Sequence, residues 1–140
     1  MSEFDVQALQ QVFRQAPFIA ELGAQLDAIA AGECSTSLAV QPRLLQQHGY
    51  VHAGVQATLA DHSMGVAAFT MAPPNHYVVT VEFKMSLLRP AQGDRLICRA
   101  KVLKPGKQFT FTEAEVFVVK EGKELLTMKA SATMAVAAIG

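Results

Sequence analysis

Residues 54–69, GVQATLADHSMGVAAF, decide how the rest of this chain must fold. The run is rich in Ala and Gly and apolar on nearly every side, and a helix without a polar face is buried rather than laid on a surface. Its small residues let a sheet approach closely. Met71-Ala72-Pro73-Pro74-Asn75 then ends it, because two prolines cannot continue a helix. The remaining chain has to wrap this helix.

The residues on either side are suited to wrapping it. Downstream, Tyr77, Val79, Val81, Phe83, Met85 and Leu87 alternate with Val78, Thr80, Glu82, Lys84, Ser86 and Leu88, a long period-2 segment. Strands over 95–103, 109–120 and 125–136 follow, separated by Ala91-Gln92-Gly93-Asp94, Lys104-Pro105-Gly106-Lys107 and Glu121-Gly122-Lys123. Connections this short predict antiparallel neighbours. Upstream, Ser2 and Asp5 resemble a capping box, and Val6, Leu9, Val12, Phe13 and Ala16 recur at helical spacing up to Pro17. Leu22, Ala24, Leu26 and Ala28 alternate, Ala31-Gly32 breaks the run, and Cys34, Thr36, Leu38 and Val40 alternate again, which predicts a hairpin. The pattern is α+β, an antiparallel sheet around a central helix.

The 140 residues fit one domain over 1–140. With 51% hydrophobic and only 17% charged residues, much of the chain must be buried within or between subunits, so an oligomer is expected. Twelve basic residues balance twelve acidic ones, leaving no electrostatic footprint for nucleic acid. No stretch reaches the roughly 18 apolar residues of a membrane span, and a cytoplasmic protein is expected. Cys34 and Cys98 form no CxxC and read as small buried hydrophobes.

Asp61 interrupts the apolar helix, on the face of Ala57, Met64, Gly65 and Ala68 by the three-and-four spacing. A carboxylate there must be hydrogen-bonded, neutralised or turned to a cleft that uses its charge; a plain subunit contact is the competing reading. The polar turn QQHGYVHAG, 46–54, runs into the helix, whose first N–H groups suit an oxyanion or a polarised carbonyl. Ala53 and Gly54 are the expected donors. Gln46 can donate and accept, and His52 can donate to a carbonyl or leaving group. His52 and Asp61 lie nine residues apart, about two helical turns, too far to touch one carbonyl. A second copy of the chain must then supply one of them. His48, His52, Asp61 and His62 invite a metal reading, but Gly49 argues against a helix through 47–52, and no metal is expected. His62, next to Asp61 on the helix, should face another direction, and His76 reads as a solvated loop residue. Ser63 lacks a GxSxG turn, and no Walker or dinucleotide motif is present.

His52-Ala53-Gly54, six residues, then Asp61 resembles the HGG-x6-Asp/Glu signature of hotdog-fold acyl-CoA thioesterases of the phenylacetic-acid-degradation (PaaI) type. Pro17-Phe18, Leu22-Gly23, VTVEFKMSLLRPAQGD and Lys104-Pro105-Gly106-Lys107 extend the resemblance over nearly the whole chain. It implies a hotdog fold, a curved antiparallel sheet around the central helix, with active sites at the interface of a homodimer and dimers commonly paired into tetramers. By the same resemblance Asp61 matches the catalytic carboxylate, Ala53 the N–H that polarises the thioester carbonyl, Gln46 the Asn/Gln before the motif, and His52 the motif histidine. Ala53 departs from the first glycine of HGG, Gly65 stands where some relatives favouring aromatic acyl groups carry Ser or Thr, and Ser86 stands where Asn is common.

The expected reaction is hydrolysis of an acyl-CoA to a carboxylic acid and free CoA, with Asp61 as general base or nucleophile and no cofactor. Arg89, Lys104 and Lys107 are candidates for the CoA phosphates, and Met64 and Gly65 for the acyl groove. The rival readings are a non-catalytic acyl-CoA binding or sensing module, a hotdog acyl-thioester hydratase or dehydratase, and a purely structural protein.

Overall fold

The computed structural model describes residues 5–140. The helices are α1 (Val6–Phe13), α2 (Pro17–Leu22) and α3 (Ala53–Phe69). The strands are β1 (Gln25–Ala30), β2 (Glu33–Ala39), β3 (His76–Leu87), β4 (Arg95–Lys104), β5 (Phe109–Lys120) and β6 (Lys123–Ala138). All six strands join one antiparallel sheet in the order β1-β2-β4-β5-β6-β3, and α3 lies across its inner face against β2 to β6. Thr110, Thr112, Ala114, Val116 and Val118 of β5 point at the helix while their neighbours face outward. Register shifts at Leu26/Ala28, Thr80/Glu82, Val102/Lys104 and Val116/Phe117 add the bends with which a sheet curls around a helix. No helix among the described residues is long and apolar enough to cross a membrane.

The central helix, the four later strands and the hairpin stand where the sequence puts them, but several expectations need correction. Pro17 does not merely stop α1; it occupies the first turn of α2, which buries Ile19 and Leu22 and ends at Gly23 with φ 78°. The first strand therefore begins at Gln25, not Leu22. Ser2 lies outside the described residues, and Asp5 is itself the cap, its carboxylate accepting from the Ala8 N–H at 3.1 Å. His76 opens β3 and is partly buried.

The largest correction concerns β3 and β4, which are not neighbours: β3 pairs with β6 at one edge, and β4 lies between β2 and β5. Seven extended residues reach about 23 Å, enough for three interstrand spacings of about 4.8 Å. Residues 88–94 use that reach to cross the sheet. Leu88 N–H bonds Thr127 O, Ala91 O accepts from Val51 N–H, and Asp94 N–H bonds Val119 O, each at 2.8–2.9 Å. A Cβ on Gly93 would stand 2.3 Å from Val119 O, so the crossing passes only with glycine there.

Polar pins set the rotation of α3. The Ser63 hydroxyl bonds Leu59 O at 2.6 Å and meets the Thr36 hydroxyl of β2 at 2.7 Å. The Cys34 thiol donates to Ser63 O, and the Thr127 hydroxyl of β6 donates to Gln56 Oε1 at 2.7 Å. All of these side chains are buried. Met64, expected to line a substrate groove, is 0% exposed and belongs to the core with Leu59, Ala60, Ala67 and Ala68. Cys34 and Cys98 are free and buried, and burial pushes their thiols up to about 12 and about 11.

His62 joins α1 to α3. Its ring meets Phe13 edge-on, centroids 4.6 Å apart at 66°, and its Nε2 is buried without a hydrogen-bond partner among the described residues. Burial holds its pKa below the ordinary 6.5 against the opposing pull of Asp61. The unfolded chain thus binds the proton more readily, so this contribution is complete above about pH 6.5 and is lost as pH falls through the lower folded value. Thermal unfolding followed from pH 7.5 to 5 should show a steeper fall in Tm for the natural chain than for His62→Gln.

Candidate active site

The turn before α3 is built by its own side chains. Gln46 N–H bonds Tyr50 O, Gly49 adopts φ 86°, and the Gln46 side-chain oxygen accepts from the His48 and Tyr50 N–H groups. That oxygen is spent holding the turn, which leaves the Gln46 amide NH2 for a ligand. Leu45 bridges Val51, and His52 N–H bonds Leu44 O, so the chain enters the helix along a fixed path.

His52 is the N-cap of α3, and its Nδ1 accepts from the Gly54 N–H at 2.8 Å. An accepting Nδ1 puts the proton of the neutral ring on Nε2, whose N–H is then the donor this exposed histidine can offer. The bond also corrects one expectation, since the Gly54 N–H is occupied by its own cap and not free for a ligand. Ala53 N–H has no acceptor among the described residues and is the unspent donor at the positive end of the helix.

Asp61 stands on the flank of α3 and is partly buried. The Thr80 hydroxyl donates to its Oδ1 at 2.7 Å, and Oδ2 has no protein partner among the described residues. The carboxylate borders a groove of about 350 Å³ between α1, α3 and the start of β3, where Val66, Phe69, Tyr77 and Val78 supply apolar walls. Gly65 lines the groove one turn beyond Asp61, with nothing within 4 Å of where a Cβ would stand. His62 borders the same groove, contrary to the expectation that it faces elsewhere, because positions 61, 62, 65, 66 and 69 share the flank that the Ser63 and Gln56 pins leave free.

Thr80 escaped the sequence reading because strict alternation puts it on the polar outer face. The bulge between Thr80 and Glu82 reverses the phase: Val78 and Thr80 face the helix before it, and Phe83, opposite buried Ala132, does so after it. The β-branched pair Val79 and Val81 gives no sign of it. The basic residues do not gather within one subunit. Arg89 lies two residues from Ala91, which bonds the turn before α3, whereas Lys104 and Lys107 flank the β4–β5 turn, near Phe109 opposite Ala135 at the far end of the sheet. Among the described residues, no three His, Cys, Asp or Glu side chains converge as metal ligands.

A second cavity of about 500 Å³ lies on the outer face of the sheet, where Arg99, Lys101, Glu113, Glu115 and Lys129 alternate in sign. The cross-strand pairs Lys101–Glu113 and Lys129–Glu115 partly neutralise one another there, at 3.3 and 3.7 Å. It has no contact with Asp61 or the helix N-terminus.

A carboxylate with one anchored and one unspent oxygen beside an apolar groove can serve as base or nucleophile toward an ester-like carbonyl. Comparison with known proteins gives the family of the chain. The chain is 25% identical over 95 residues to the 1,4-dihydroxy-2-naphthoyl-CoA hydrolase of Listeria monocytogenes, spanning 68% of this chain and 77% of that protein. A solved thioesterase family protein from Silicibacter pomeroyi superposes with TM-score 0.91 at 35% identity, covering 94% of this chain and 97% of the other. A thioesterase from Haemophilus influenzae gives TM-score 0.87 over 99% of this chain and 94% of its own, and at 21% identity it speaks for the fold alone. The family model described as thioesterase superfamily matches residues 48–125, from the polar turn through α3, β3, β4 and β5, and the chain, a hotdog fold, belongs to that family of thioester hydrolases.

Proposed function

We propose that the chain hydrolyses acyl-CoA thioesters and that Asp61 is the catalytic carboxylate. The observation that carries the reading is the Thr80–Asp61 bond, which fixes one carboxylate oxygen at 2.7 Å and leaves the other for chemistry at the mouth of an apolar groove. In the general-base route Asp61 takes a proton from water as the water oxygen attacks the thioester carbon. The carbonyl oxygen becomes an oxyanion held by the Ala53 N–H; the C–S bond then breaks, and the thiolate takes the proton. In the nucleophilic route the carboxylate attacks directly, CoA leaves, and water opens the mixed anhydride. The Listeria relative, by its name an acyl-CoA hydrolase, supports the substrate class. Unpaired Cys34 and Cys98 fit a reducing cytoplasm.

The site is completed by a second copy of the chain. Ala53 and Asp61 are about 12 Å apart along α3, too far to act on one carbonyl. The free edge of β3 offers the means. It is twelve residues long and carries exposed Tyr77, Val79, Val81 and Met85, a surface that isolated proteins rarely leave open. Antiparallel pairing of two such edges about a two-fold axis sets the Leu87 end of one strand beside the Tyr77–Thr80 end of the other. The first end adjoins the helix N-terminus through Leu88 and Ala91, and the second holds Asp61 through Thr80. Ala53 of the partner subunit then faces Asp61, and the partner's Arg89 joins Lys104 and Lys107 at one end, where they can meet the CoA phosphates. Such dimers can pair again into tetramers.

Thiol release from acyl-CoAs should fall at least about a hundredfold in Asp61→Asn, and retention of most of the activity would remove Asp61 from the chemistry. Ala53→Pro deletes one N–H at a helix position that tolerates proline, after a His52 already extended at φ −60°, ψ 138°. It should leave Tm nearly unchanged and lower kcat by about 10²–10³, the usual cost of one oxyanion donor. Val81→Lys should shift the sedimentation of the protein toward monomer and remove thiol release with it.

A further inference from the structure

The helix α1 takes no part in the chemistry described above, yet it forms one wall of the groove beside Asp61. Two contacts hold it there. The Gln10 side-chain amide bonds both the N–H and the carbonyl of Leu26 on β1, and Phe13 meets His62 edge-on, one position along α3 from Asp61. Between these anchors Val12 lines the groove while remaining 53% exposed. Phe13, at 3%, is committed to the core. The wall thus has a structural residue and, next to it, a residue whose size can change without disturbing the packing.

We propose, on the reading of Asp61 as the reacting carboxylate, that the acyl group of the thioester lies between α1 and α3 and that Val12 sets the largest acyl group accepted. The carboxylate belongs to the groove's own lining, so a carbonyl at Asp61 continues directly into it. Away from Asp61, Thr80, His62 and the neutral Tyr77 hydroxyl the lining is apolar, and burial disfavours the charged form of His62, so nothing there rewards an ionised tail. A space of about 350 Å³ takes an uncharged aryl group or a medium-length aliphatic chain. On this account specificity is written in the first helix of the chain, far in sequence from the catalytic segment.

The test compares the natural chain with Val12→Trp and Val12→Ala, using acetyl-, hexanoyl-, benzoyl- and palmitoyl-CoA for turnover. Their non-hydrolysable thioethers S-hexyl-CoA and S-benzyl-CoA serve for binding by calorimetry. Val12→Trp should lower kcat/KM for hexanoyl- and benzoyl-CoA at least tenfold relative to acetyl-CoA, and weaken both thioethers. Val12→Ala should move the preference toward the larger acyl groups, with Tm preserved in both variants. Equal loss on every substrate, or no change on any, would overturn the assignment. If the natural chain hydrolyses none of the four, the function reading fails separately and calorimetry decides the groove. Tenfold weaker thioether binding in Val12→Trp then keeps the acyl site, and unchanged or absent binding removes it.

Discussion

The placement of everything functional depends on how α3 is held in rotation about its own axis. A helix apolar on nearly every side gains similar burial in many orientations, so the hydrophobic effect buries it without aiming it. The aim comes from two buried contacts, Ser63 with Thr36 and Gln56 with Thr127. A satisfied hydrogen bond adds only about 1 kcal/mol net, but a buried group left unpaired costs about 1–3 kcal/mol. The pins therefore act mainly by penalising other rotations. With Ser63 and Gln56 turned to the sheet, Asp61, His62 and Gly65 are turned to the groove, and Met64 is drawn into the core.

This division explains what was legible in the sequence. The central helix is readable because its apolar character runs from 54 to 69, and β5 because turn residues at 104–107 and 121–123 bound it on both sides. The candidate carboxylate stood out because a charge inside such a helix needs a reason. The polar, glycine-containing turn before an apolar run points to backbone donors at Ala53 and Gly54. It could not show that His52 would fold back and occupy the Gly54 N–H.

The misreadings share a cause: each turned on a register that period alone does not carry. The bulge after Thr80 shifts the phase of β3 by one, so strict alternation cannot show that Thr80 turns to Asp61. Pro17 can end one helix or begin the next, and only the left-handed Gly23, six residues after α2 starts, distinguishes them. Arg89 and the two lysines lie at opposite ends of one subunit's sheet, because sequence distance says nothing about which end of a sheet a turn occupies. The contribution of α1 to the groove is hidden for the same reason, being a tertiary contact between two helices separated by α2, two strands and a turn.

The crossing of residues 88–94 bears on how this chain can vary in length. A surface connector normally absorbs insertions, but here the segment is tied at Leu88, Ala91 and Asp94 and squeezed against Val119 at Gly93. An added residue would have to break one of those ties, and the tie at Ala91 also fixes the approach to the helix that carries the backbone donor. The β5–β6 hairpin, where Glu121 and Gly122 turn in the open, has no such commitment. Added residues, fusion partners and new chain ends are expected to fit at that hairpin, whereas the seven-residue crossing, buried only at Ala91, is fixed in length by its ties.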